Sequence, residues 1–141
     1  VIFYGHQPTA QVQELIQKFD ILLAPYQGSV KVGRKQVDIA RWMSPLKIFE
    51  YMAAARPLVA SNLPVLKEVL QHKSNCLLAT PDDPDDWIRQ INRLRTDDAL
   101  RASLGQQAYR DFIEHYTWQK RAQKLLHFFG HILLESRTPV S

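Results

Sequence analysis

Ser44-Pro45-Leu46-Lys47-Ile48-Phe49-Glu50-Tyr51-Met52-Ala53-Ala54-Ala55-Arg56-Pro57-Leu58-Val59-Ala60-Ser61 reads as a capped helix followed by a buried strand. Ser44 suits the cap and Pro45 the first helical position, so the spacing predicts a helix running to about Ala55. Leu46, Ile48, Phe49, Met52 and the alanines make it apolar on most sides, which predicts that it is well buried. Lys47, Glu50 and Tyr51 are the exceptions, and at i, i+3 and i+4 they share one stripe near the amino-terminal end. That end offers free backbone N–H groups and the positive end of the helix dipole, a ready anion site. A lysine beside it adds charge for a diphosphate, and a carboxylate one turn on can accept hydrogen bonds from ribose hydroxyls. The alternative is an exposed Lys47–Glu50 pair worth a few tenths of a kcal/mol. Spacing alone leaves both readings open.

Outward from this stretch, short apolar runs alternate with helical patterns. Residues 1–4 read as a strand stopped by Gly5, and residues 9–19 as an amphipathic helix with Val12, Leu15, Ile16 and Phe19 on its inner stripe. Residues 20–24 form a run ended by Pro25, of the kind that suits strands covered on both faces. Residues 26–43 read as a long, basic loop with Lys31, Arg34, Lys35 and Arg41, expected to close over a ligand. Downstream come a strand at 58–60, a helix at 64–71, a strand at 76–79 and a turn at 80–83. Helices follow at 84–95, 98–115 and 118–134, the last capped by Thr117, and residues 135–141 read as a frayed end. The order predicts an α/β fold: a Rossmann-like parallel sheet flanked by helices, with a helical C-terminal extension. Ligands of such sheets sit beyond the carboxyl ends of the strands, here at residues 5–8, 25–26, 61–62 and 80–81.

The 141 residues suit a single domain, and 45% hydrophobic with 23% charged residues is ordinary for a globular chain. No apolar run approaches a membrane span. A chain opening in mid-strand at Val1 reads as a trimmed fragment. The lone Cys76 excludes an internal disulfide framework and fits a reducing, cytoplasmic setting. A net charge of +4 fits phosphate-bearing partners or mere solubility, and no nucleic-acid-binding module is recognisable. Asp82, Asp83, Asp85 and Asp86 read as a turn and helix start rather than a metal site, and His127 with His131 as helix surface. Lys120, Arg121 and Lys124 with Leu125, Leu126, Phe128 and Phe129 make the last helix basic and amphipathic. It suits peripheral membrane contact or packing against another domain.

The quoted stretch resembles the hallmark of retaining GT-B glycosyltransferases of the group 1 (family 4-like) type, in which a helix bearing a Glu precedes "Gly-x-Pro-Val-Val-Ala-Ser". Pro64-Val-Leu-Lys-Glu-Val-Leu, Asn75-Cys-Leu-Leu, Pro81-Asp-Asp and Tyr116-Thr-Trp resemble the family's later motifs, and Val1-Ile-Phe-Tyr-Gly an earlier one. The resemblance spans residues 1 to about 129. It implies a donor-binding domain, residues 1–141, truncated at its N-terminal side, with residues 117–134 packing toward a missing N-terminal acceptor domain. It implies a hexosyltransferase in the full-length protein, using a UDP-, GDP- or ADP-sugar without a metal or other cofactor, and a fragment inactive alone. Glu50 aligns with the Glu that holds the ribose. Leu46 and Lys47, following Ser44, align with helix-start positions whose N–H groups hold the diphosphate. Gly5 and His6 align with the loop lying against the nucleobase, although a lone histidine in a loop is more often solvated than functional. Three departures stand out. Trp42 occupies the place of the family's first Glu, which contacts the sugar. Ala55 and Cys76 occupy the places of glycines, where a left-handed turn would cost a residue bearing a Cβ about 1 kcal/mol. The upstream strands that supply an Arg and a Lys for the diphosphate are missing.

Overall fold

The computed structural model describes residues 2–29, 31–32, 37–38 and 46–135. Its centre is a three-stranded parallel sheet of β1 (Leu22–Ala24), β4 (Leu58–Ser61) and β5 (Leu77–Ala79), in the order β1-β4-β5. Leu22 pairs with Leu58, Ala24 with Ala60, and Ser61 with Ala79. Every residue of β4 and β5 is buried, as suits parallel strands that are apolar but for Ser61. Alternation then divides the core in two. Leu58, Ala60 and Leu78 point to one side, where α1 (Thr9–Ile16), α2 (Leu46–Ala53) and α3 (Pro64–Lys67) supply Ile16, Ile48, Met52 and Leu66. Val59, Leu77 and Ala79 point to the other, against Leu94 of α4 (Pro84–Thr96) and Leu104 of α5 (Asp98–Asp111).

Two expectations about the amino-terminal half are corrected. Residues 2–4 form no strand: Ile2 and Phe3 are 77% and 91% exposed. A strand needs a neighbour for its N–H and C=O groups, and the sheet's outer strand on this side, β1, does not pair with them. The basic segment also holds regular structure, because β2 (Lys31–Val32) and β3 (Val37–Asp38) pair antiparallel. Residues 33–36 and 39–45, with Arg34, Lys35, Arg41, Trp42 and Ser44, lie outside the described residues, and so do most of the expected ligand-closing loop and the helix cap.

Downstream, the local chemistry follows the sequence. The Asp83 carboxylate accepts from the Asp86 amide at 3.1 Å and starts α4; Asp97 accepts from Leu100 at 2.8 Å and starts α5. Asp86 in turn accepts from the amide of Thr80 at 2.8 Å and from its hydroxyl at 3.0 Å, which fastens the β5–α4 turn. These contacts and Arg89 hold its carboxyl down at about 2. α5 runs into a π-helical stretch, Phe112–Tyr116, and Thr117 accepts from the Lys120 amide at the start of α6 (Trp118–Glu135).

Of the two glycine-like positions, only one is left-handed. Ala55 has φ +55° just past α2, whereas near Cys76 the positive φ belongs to Lys73 at +65°. Cys76 instead enters the core, and burial pushes its thiol up to about 12. The chain reverses earlier, at the left-handed Lys73, whose amide donates to the Cys76 carbonyl at 2.8 Å.

Candidate donor cleft at the start of α2

Helix α2 is less enclosed than its composition suggests. Ile48 and Met52 are fully buried against the sheet, but Leu46 is 62% exposed. The helix covers the sheet with one face only, and its first turn stands at the rim of two depressions. This corrects the expectation of burial on most sides.

One depression is a cleft of about 500 Å³. Lys47, Glu50 and Tyr51 of α2 line it together with Tyr4, Gly5, His6 and Gln7. Val12, Leu15, Ile16 and Phe19 supply an apolar side. Gly5 turns the chain there with φ +65°, a conformation that glycine adopts without strain. Thus Gly5, His6, Lys47 and Glu50, far apart in sequence, meet around one space. Leu46 faces the second depression, a groove of about 1130 Å³ running from Phe49 and Glu50 past Tyr116 to Trp118 and Arg121. Glu50 borders both.

Lys47 and Glu50 do not neutralise each other. Neither takes part in any ion pair among the described residues. The spacing that could have made a surface pair leaves neither group paired with a described residue. The first N–H groups of α2, beginning at Leu46, lack partners within the helix by the geometry of any helix start.

Tyr51 lines this cleft although the sequence reading left it outside its set of binding residues, and Tyr26 packs against the same core cluster. Burial pushes the Tyr51 hydroxyl above its usual range, with Tyr26 and Glu50 adding to the effect. Tyr26 is raised by burial and then by Glu50. Tyr26 follows the carboxyl end of β1, and its carbonyl accepts from the buried Ser61 hydroxyl at 2.7 Å at the end of β4. The carboxyl ends of β1 and β4 are therefore tied to each other. The i+4 step from Lys47 already marked Tyr51; only the fold brings Tyr26 beside it.

The sequence profile of a family described as glycosyl transferase-like matches residues 1–127. The chain belongs to this family. The glycosyltransferase-like chain is 29% identical, over 96 residues, to a D-inositol 3-phosphate glycosyltransferase of Salinispora tropica, covering 68% of its own length and 20% of the relative's. Among solved structures it is similar to sucrose-phosphate synthase from Thermosynechococcus elongatus, with a TM-score of 0.75 at 17% identity, covering 95% of this chain and 30% of that one. It is also similar to HepE from Anabaena solved with UDP-glucose, with a TM-score of 0.66 at 19% identity over 84% of this chain and 29% of that one. These likenesses establish the fold as part of a GT-B glycosyltransferase. The chain spans about a fifth of the length of the curated relatives it matches.

Proposed function

We propose that this chain is the donor-binding part of a glycosyltransferase that transfers a hexose-type sugar from a nucleoside-diphosphate sugar with retention of configuration. The observation that carries the reading is the arrangement at α2. Lys47 and Glu50, neither in an ion pair among the described residues, share a helix start and line one cleft with the turn at Gly5. The UDP-glucose bound by HepE supports a nucleotide-sugar as the ligand class.

In this reading Glu50 accepts hydrogen bonds from the ribose hydroxyls. The first N–H groups of α2, with Lys47, hold the diphosphate and stabilise the negative charge that builds on it as the sugar departs. The loop at Gly5 and His6 lies against the base. Positive charge from the helix end and Lys47 serves the leaving group without a metal. The acceptor and the remaining catalytic groups belong to an N-terminal domain beyond these 141 residues, so this part alone is inactive.

Trp42 favours a second reading, a nucleotide-binding module without catalysis, since it stands where the family's first Glu contacts the sugar. Incubating the whole protein with UDP-, GDP- and ADP-glucose separates the two. The proposal expects nucleoside diphosphate release from one donor, and a first-formed sugar product that keeps the donor's anomeric configuration by NMR. An inverted product contradicts retention, and binding without turnover supports the second reading.

A further inference from the structure

Among the described residues β5 is an outer strand of the sheet, so alternate backbone groups along it face away from β4. The Asn62 amide donates to the Ala79 carbonyl at 2.7 Å, which turns the groups of Ala79 and Leu77 toward β4 and those of Leu78 outward. The outward Leu78 amide donates to Nδ1 of His72 at 2.9 Å. His72 belongs to the turn that leads into the strand. There the Gln71 amide donates to the Asn75 side chain at 2.8 Å, the Lys73 amide donates to the Cys76 carbonyl at 2.8 Å, and His72 and Cys76 form an isolated parallel bridge. The turn backbone thus pairs with the edge at Cys76, and the imidazole takes the same place at Leu78.

We propose that His72 is a proton-sensitive latch on this sheet edge: its neutral ring holds the turn against β5, and protonation releases it. A ring nitrogen accepts only while it carries no proton, and an imidazolium donates from both nitrogens. The closed latch is therefore the neutral ring with its proton on Nε2. A second proton would set an N–H against the Leu78 N–H, so protonation and this hydrogen bond exclude each other. The surrounding charges favour the neutral form. Lys73 on the same turn and Arg93 on α4 are cations, and the carboxylate acting on the ring, Asp86 of α4, is already engaged by Thr80, Gln90 and Arg89. Burial of part of the ring, then Lys73 and Arg93, hold its pKa below the usual 6.5, with Asp86 opposing them. A base depressed in the closed form and ordinary in the open one keeps the latch shut above 6.5 and loosens it as pH falls below that value. The open latch bares an edge amide of the kind through which sheets add a further strand. Neither His72 nor Leu78 lines the donor cleft or the groove beside it, so the latch stands apart from the proposed donor site.

The test is hydrogen exchange of the whole protein, read at the Leu78 amide by mass spectrometry with residue-level fragmentation and divided by the intrinsic rate at each pH. Between about pH 7.5 and about pH 5.5 protection should fall severalfold, with about tenfold as the limit set by an open form of ordinary pKa. His72→Asn places a side-chain oxygen near the position of Nδ1 that accepts at either pH, and its protection should not change between the two. His72→Phe removes the acceptor and should leave the amide weakly protected at both. Position 72 is exposed, and far-UV circular dichroism verifies that each variant keeps the fold. Protection of Leu78 that ignores pH in the parent overturns the proposal, as does a fall in His72→Asn equal to the parent's or full protection in His72→Phe. The Ala79 amide, which faces β4, is the internal reference: an equal fall there belongs to the sheet as a whole and likewise overturns the latch.

Discussion

Ala55 and Gly105 meet where α5 crosses the end of α2. Ala55 holds φ +55°, and a Cβ on Gly105 would collide with the Ala55 carbonyl oxygen. The two positions therefore respond oppositely to a single methyl group. Ala55→Gly removes a strained Cβ and should raise stability by up to about 1 kcal/mol, read as a higher urea midpoint at unchanged slope. Gly105→Ala forces α5 off the turn and should lower stability by about 1–3 kcal/mol in the same assay. Asn75 is a third sensitive residue. It is buried, accepts from the Gln71 amide at 2.8 Å, and donates to the Val69 carbonyl at 3.2 Å and the Asp111 carboxylate at 2.7 Å. Asn75→Ala strands those partners and should cost about 1–3 kcal/mol. A strained Ala55 is readable in the sequence, because its place after a helix is one that favours glycine. The Gly105 contact is not, because it depends on where two distant elements cross.

At the scale of elements, the helices and inner strands were legible and the chain's amino-terminal edge was not. Leu58-Val59-Ala60 and Leu77-Leu78-Ala79 are apolar at every position, which a strand covered on both faces demands. Residues 1–4 carry an equally good strand pattern, yet a pattern states only what a segment could do beside a neighbour. The short β2–β3 pairing has no apolar alternation to announce it. Among junctions, the β5–α4 turn carries a titratable prediction. The Asp86 pKa falls from its usual 3.8 to about 2, chiefly through the Thr80 amide and Gln90, with burial opposing and the Thr80 hydroxyl and Arg89 adding to the fall. A carboxyl depressed by folding stabilises the fold above its unfolded value, and that contribution is lost as pH falls toward about 2. Asp86→Asn should therefore flatten the loss of urea stability between neutral and acid pH; an acid limb as steep as the parent's would contradict this.

For the molecule as a whole, the site was legible in proportion to how local it is. Lys47 and Glu50 sit on one helix turn, so their shared stripe could be read from spacing. Their meeting with Gly5 and His6 around one cleft required the fold, because it joins segments distant in the chain. The chain spans about a fifth of its curated relatives' length, and donor binding at the cleft is the part of such a function that the proposal assigns to it. The central claim is that this cleft binds a nucleoside diphosphate through Glu50. Calorimetric titration of the whole protein with UDP, GDP and ADP, repeated with Glu50→Ala, tests it most directly. One nucleotide should bind in preference to the others. Removing hydrogen bonds to a charged group should cost about 1.5–3 kcal/mol, at least about tenfold in affinity, with the circular dichroism spectrum unchanged. Binding of none of the three, or an affinity that Glu50→Ala leaves intact, would contradict the account.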